Sequence, residues 1–300
     1  MRHDVTFLSK GLKCSGWLYL PDDLAPGDRR PAVIMAHGFS GTKDLYLSNY
    51  AEPFATAGFV TLAFDYRYMG ESEGEPRCQQ FPWDNQEDYR NAISWLSRQP
   101  QVDPERIGLW GTSYSGTHVI QVAAFDRRVK AVVSQACGTL GGLDAFGALL
   151  GREGLDRLLV TLLEARLAAY PDGPIPYLPV VAAPGQPATM NDPGMYEFFT
   201  RAQAECPHWE NRITTETVEK MFEADLTMAR MLVAPTPVLV VTCTHDAMIP
   251  LGLVYEKMAT MSEPKKLVEL DCAHHEIYNT QPYLGQAIEV EIAWFKEHLQ

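Results

Sequence analysis

The decapeptide LWGTSYSGTH, from Leu109 to His118, sets two serines two residues apart where an apolar run gives way to a helical period. Ser113 has Gly111 two places before it. The glycine expected two places after it is replaced by Ser115, with Gly116 following. A G-x-S-x-G turn between a strand and a helix lifts a serine Oγ above the sheet, and small residues on either side let the helix approach. Serine is small enough to stand for the second glycine. With Ser115 as nucleophile, Ser113 and Thr117 would take the two flanking positions, which is sterically worse. Glycine and serine are also ordinary turn residues, so the partners must decide.

A serine needs a base at neutral pH, and the base needs an orienting carboxylate. In serine sites built on parallel sheets the chain order is Ser, then Asp or Glu, then His. Asp246, in THDAMIP, follows the run PVLVVTC, and His274, in DCAHHEIY, follows KKLVEL. Both therefore fall at strand ends on the edge that carries Ser113. His275 remains an alternative to His274. Asp271 is an alternative to Asp246, although it shares a strand end with the histidine and reads better as a turn residue. Two backbone amides complete the chemistry as an oxyanion hole: that of Tyr114, after the nucleophile, and that of Phe39, in the loop after PAVIMAHG. His37 in that loop reads as a structural hydrogen-bonding residue.

Competing constellations carry less. His245, His274, His275 and Asp246 suggest a metal, but HExxH is absent and no spacing fixes three ligands, so neither a metal nor a cofactor is expected. GESEGEPR lacks the lysine and the glycine order of a phosphate loop. Asp84 with Glu87 reads as a helix cap. Phe81, Trp83 and Tyr68 read as pocket mouth or as packing.

The elements that would position these residues follow from apolar periodicity. PAVIMAHG, FVTLAFDY, RIGLWG, KAVVSQAC, PVLVVTC and KKLVEL read as strands buried on both faces. Tyr89, Ala92, Ile93 and Leu96, then Leu251, Val254, Tyr255 and Met258, and finally Ile288, Ile292, Phe295 and Leu299 keep the helical spacing. Strands alternating with helices predict an α/β fold, a mainly parallel sheet flanked by helices, preceded by an antiparallel strand or two from VTFLSKGLKCSGWLYLP. Ligands of such sheets bind beyond the carboxyl ends of the strands. Between Gly138 and Leu232 no buried strand is evident, and LDRLLVTLLEARLAAY and TTETVEKMFEADLTMARML read as helices. The expected organisation is thus a core of 1–137 and 233–300 with a helical cap, 138–232, inserted in it. Leu158, Leu159, Leu162, Leu163, Tyr177, Tyr196, Phe198 and Phe199 are expected to cover a pocket above the strand ends. An interface between copies of the chain, making a homo-oligomer, is the competing use of these residues.

At 300 residues and 46% hydrophobic, the chain has enough apolar material for one large core. A formal charge of −13 argues against nucleic acid and anionic membrane surfaces as partners. The N-terminus has no secretory pattern and no stretch is apolar for a membrane span, from which a cytoplasmic location is expected. Cys14, Cys78, Cys137, Cys206, Cys243 and Cys272 show no metal-like spacing and read as reduced thiols.

Together, AHGFSGTKD, FDYRYMGESEGEPR, VDPERIGLWGTSYSGTH, THDAMIP and AHHEIY resemble the α/β-hydrolase superfamily. The form of the elbow is similar to the dienelactone-hydrolase-like and X-Pro-peptidase-like groups and to their polyketide-transferase relatives. The resemblance covers about Pro31 to Cys137 and Pro237 to the C-terminus. It implies the α/β-hydrolase fold. It also implies a histidine followed by any residue, an acid, an aliphatic residue and tyrosine, which places it at His274 with Glu276 and Tyr278. Dienelactone hydrolases carry a cysteine nucleophile that this elbow lacks, so their substrate does not transfer. The expected activity is cleavage of a carboxylic ester or thioester with an apolar portion, through an acyl-enzyme on Ser113. Transfer of the acyl group to another acceptor by the same residues is the alternative, and a silent binding protein on the same fold is a third reading.

Overall fold

A computed structural model describes residues 1–136, 142–225 and 227–299; within these, the side chains of 142–146, 148, 149 and 227 are not described. The chain opens with a hairpin, β1 (Arg2–Ser9) and β2 (Leu12–Tyr19), turned by Lys10 and Gly11 at φ of 50° and 84°. Such positive values at both central residues match the twist of the flanking strands. Then come β3 (Arg30–Ala36), α1 (Ser48–Thr56), β4 (Val60–Phe64), α2 (Pro82–Leu96), β5 (Val102–Thr112), α3 (Tyr114–Phe125) and β6 (Val129–Gln135). After a long excursion the sheet resumes with β9 (Val238–Cys243), α8 (Leu251–Thr260), β10 (Lys265–Leu270) and α9 (Tyr283–His298).

The eight strands lie in the order β1-β2-β4-β3-β5-β6-β9-β10. β1–β2 and β2–β4 pair antiparallel, and every later neighbour pairs parallel. This is the α/β-hydrolase fold anticipated above. α1 and α9 pack together on one face; α2, α3, a short helix α7 (Thr227–Leu232) and α8 follow one another along the other. Continuous apolar runs make β3, β4, β6 and β9 almost wholly buried, as two covering layers require. KKLVEL departs from the expectation. β10 is the sheet edge, and five of its six residues are half-exposed or exposed, because only one strand, β9, pairs with it. Tyr255 also departs: it is exposed and donates a hydrogen bond to Glu269 at 2.9 Å.

Between β6 and β9 the chain forms α4 (Gly142–Ala169), β7 (Tyr177–Leu178), α5 (Pro193–Glu205), β8 (Ile213–Thr214), α6 (Thr215–Glu223) and α7. β7 and β8 are two-residue strands paired only with each other. α4 is broken at Gly151, whose φ of 63° no helix accommodates. A small second core of Leu162, Val218 and Phe222 joins α4 to α6, whereas Met195, Phe198, Phe199 and Trp209 join the main core. Of the eight residues expected to cover the pocket, Leu158 borders a large cavity beside Ser113 and Phe198 and Phe199 a smaller hollow next to it; Leu162 packs in the second core, Tyr177 and Tyr196 border neither, and Leu159 and Leu163 face solvent. Their neighbours on α4, Leu158 and Leu162, are the ones that pack with Val218 and Phe222 of α6. The five described cysteines are buried free thiols; Cys137 lies outside the described residues.

Candidate active site

The strand order runs outward in opposite directions from β3 and β5, so the ends of these two strands flank a crevice, the usual ligand position in an open sheet. Ser113 follows β5 and Phe39 follows β3. Ser113 has φ 52° and ψ −120°, a conformation that non-glycine residues rarely adopt and that costs about 1–3 kcal/mol. Its neighbours enforce it. The Ser113 amide donates to the Gln135 carbonyl of β6 at 2.8 Å. A Cβ on Gly111 would stand 2.4 Å from the Ser115 carbonyl oxygen, and one on Gly38 would stand 2.9 Å from Ser113 Cβ.

Ser115 is wholly buried. Its hydroxyl accepts from the Thr112 amide at 2.8 Å and donates to the Ala36 carbonyl at 2.8 Å, so it braces the turn from beneath. Ser113 instead borders a cavity of about 690 Å³ together with Phe39, Tyr114 and His274.

His274 Nδ1 donates to Asp246 Oδ2 at 2.7 Å, and both side chains are buried. The other carboxylate oxygen, Oδ1, accepts from the amides of Met248 and Ile249 at 2.8 and 2.9 Å. Burial of the imidazole works against its charged form. The Asp246 carboxylate, their hydrogen bond and the charge of Asp192 more than offset this, so His274 holds a proton above the ordinary histidine range. The alternatives lie elsewhere. His275 packs against Gly194, where a Cβ would meet its ring at 2.3 Å. Asp271 is 87% exposed and accepts from His245 Nε2 at 2.7 Å.

The residues after His274 have distinct tasks. Glu276 accepts from the Ala273 amide at 2.7 Å, closing the turn. The Tyr278 hydroxyl meets Thr112 Oγ1 at 2.8 Å, tying the histidine loop to the residue before Ser113. His37 Nδ1 donates to the Gly38 carbonyl at 3.0 Å, and burial holds its pKa below the ordinary value.

Several residues of the site went unremarked in the sequence. Gln80 donates from Nε2 to the Gly38 carbonyl at 3.3 Å and accepts from the Ser40 amide, clamping the loop that carries Phe39. Lys43 is buried with its amide and Nζ on the two oxygens of Asp65, at 2.6 and 2.7 Å, and this ion pair joins AHGFSGTKD to FDYRYMG. Asp192 borders the large cavity and caps α5 by accepting from the Met195 amide at 2.8 Å; a start signal, N-D-P-G, was there to be read. Conversely, Asp84 and Glu87 do not cap α2. Its N-cap is Phe81, with Pro82 opening the helix, while Asp84 pairs with Arg67 at 3.5 Å and Glu87 with Lys10 at 3.1 Å. Trp83 is exposed, and neither it nor Phe81 nor Tyr68 borders the cavity, which Pro82 reaches instead.

A strained serine at a strand-to-helix turn, above a mainly parallel sheet, with a buried Asp–His pair on the same edge, is the architecture of an α/β-hydrolase. Known proteins agree. The family described as X-Pro dipeptidyl-peptidase (S15 family) matches residues 11–148. Thiohydrolase aneE of Aspergillus aculeatus is 33% identical over 95% of this chain and 89% of its own length. Polyketide transferase grgF of Penicillium sp. is 31% identical over 89% of this chain and 86% of its own. The crystal structure of α/β hydrolase GrgF from Penicillium sp. sh18 superposes with a TM-score of 0.82 at 27% identity, covering 100% of this chain and 99% of that one. The chain belongs to the α/β-hydrolase family that contains these thiohydrolase and polyketide-transferase relatives, and it is an enzyme of that superfamily. Among the described residues no helix is long and apolar enough to cross a membrane.

Proposed function

We propose that the chain is a serine hydrolase that cleaves a carboxylic ester or thioester of a small molecule through an acyl-enzyme. Ser113 attacks the carbonyl, and His274 takes the proton and returns it to the leaving group. Asp246 holds the imidazole, and the Phe39 and Tyr114 amides receive the oxyanion. The observation that carries this reading is the buried Asp246–His274 hydrogen bond at the edge of the cavity that Ser113 borders. A cysteine nucleophile has no support, since no cysteine stands at the elbow. Within the expected insertion 138–232, residues 142–225 act as the cap, while α7 packs with the helices of the sheet. Leu158, Leu178, Met190, Val218 and Met221 give the cavity an apolar wall, which favours a sizeable apolar acyl group at about 25 cal/mol per Å² buried.

Acyl transfer by the same residues is the second reading, favoured by the relative named a polyketide transferase. It differs only in what attacks the acyl-enzyme.

Intact-mass spectrometry after incubation with acyl esters and thioesters tests the shared intermediate. An acyl adduct is expected on the protein and on the His275→Ala variant. It is expected to be absent from Ser113→Ala, whose turnover falls by about 10⁴-fold or more. Adduct formation by Ser113→Ala, or labelling of Ser115 by a fluorophosphonate, overturns the assignment.

A further inference from the structure

Ser113 and His274 border two hollows. The first is the cavity of about 690 Å³ described above; the second, beside it, measures about 30 Å³. Phe39, Ser113, Met190 and His274 belong to both walls. Tyr114, whose amide is assigned to the oxyanion, borders the large cavity, while Tyr278, from the histidine loop, borders the small one. The small hollow, also bordered by His37 and Gly38, lies between the loop that carries Phe39 and the loop that carries His274, where a group can exchange a proton with His274.

Its size is set by buried, mutually packed neighbours. Phe198 is buried, with ring centroids 5.3 Å from Phe199, 5.6 Å from Tyr278 and 5.4 Å from Tyr46. Met195 is buried beside them in the same wall. A water needs about 10–15 Å³ measured in this way. The hollow thus has room for two or three waters or a one-carbon group, and a butyl or aryl chain is larger than it.

We propose that this hollow is the subsite for both the leaving group and the second nucleophile, and that it restricts the enzyme to esters of very small alcohols, methyl esters above all, with water as acceptor. The inference rests on the acyl-enzyme reading. The steps balance as follows. Ser113 Oγ bonds to the acyl carbon while the carbon–methoxy bond breaks, and the serine proton passes through His274 to methoxide, which leaves as methanol. Water then enters the vacated hollow and bonds to the acyl carbon. Its proton passes through His274 to Ser113 Oγ as the serine ester breaks. By microscopic reversibility the alcohol departs from where the water attacks, so one hollow sets both limits. The large cavity keeps the acyl chain throughout.

Matched esters and competing acceptors test the proposal. Methyl octanoate is expected to exceed octyl acetate in kcat/KM by at least about tenfold, a difference of about 1.4 kcal/mol. With methyl octanoate as donor, deuterated methanol should be taken up into ester while 1-butanol is not. Phe198→Ala, which opens the hollow, should raise the ratio of butyl to methyl transfer, and Met195→Ala serves the same purpose if the first variant fails to fold. Equal use of both esters, or butanol taken up as readily as methanol by the unaltered enzyme, overturns the proposal and leaves the acyl-enzyme intact. Absence of any Ser113 adduct with every ester and with a fluorophosphonate overturns both.

Discussion

Asp192 brings a second carboxylate to His274. Its charge and that of Asp246 together raise the imidazole pKa against the opposing effect of burial. As a base His274 works only when neutral, so kcat/KM should fall as the pH drops through a value above the ordinary histidine range near 6.5. Asp192→Asn keeps an oxygen to cap α5 and removes the charge. The acid limb should then move to lower pH, raising activity on the acid side, with the plateau changed by less than about tenfold. A pH–rate profile that does not move would show that the Asp192 charge does not reach the ring. Ser113, Asp246 and His274, the proposed triad, could be singled out in the sequence because each stands within four residues of the end of an apolar run that makes a strand. Asp192 and Gln80 could not. Their roles come from tertiary contacts of loops with no period, and short polar residues in loops look alike.

Glycine at position 111 is the hinge on which the elbow closes, since a Cβ there would overlap the Ser115 carbonyl at 2.4 Å and meet Val119 Cγ1 at 3.0 Å. Gly111→Ala must push α3 away from β5. Such overpacking costs about 1–3 kcal/mol, and displacing the serine by about an ångström costs on the order of 100-fold in rate. Thermal unfolding and kcat/KM should therefore both fall; an unchanged rate would mean that the turn relaxes without moving Ser113. The central strands were legible because they are short, apolar and β-branched, which two covering helix layers demand. KKLVEL was legible as a strand but not as an edge strand, because it has the apolar residues of an interior one and nothing local says that it lies at an edge. The cap of α2 was misread for a similar reason: proline opened that helix, leaving the nearby acids free for ion pairs with Arg67 and Lys10.

The whole molecule divides its apolar surface between a cavity and an exposed flank. Leu158 lines the cavity, while Leu159, Leu163 and Leu167 on the same helix face outward. Leu158→Trp should fill part of the 690 Å³ and lower kcat/KM for long acyl esters by about tenfold relative to short ones. Parallel loss for every chain length would place the acyl group elsewhere. The sequence showed that a helical stretch interrupts the sheet but not which helix ends it, since periodicity is silent about packing partners. α7 packs against α3 and α8, the helices of the sheet, and it leads directly into β9. β6, α7 and β9 thus already form a complete parallel crossover. Residues 142–225 are a parenthesis between two strands that already pair with each other. A parenthesis of this kind can change length at little entropic cost, because the register of β6 against β9 is held by their own hydrogen bonds.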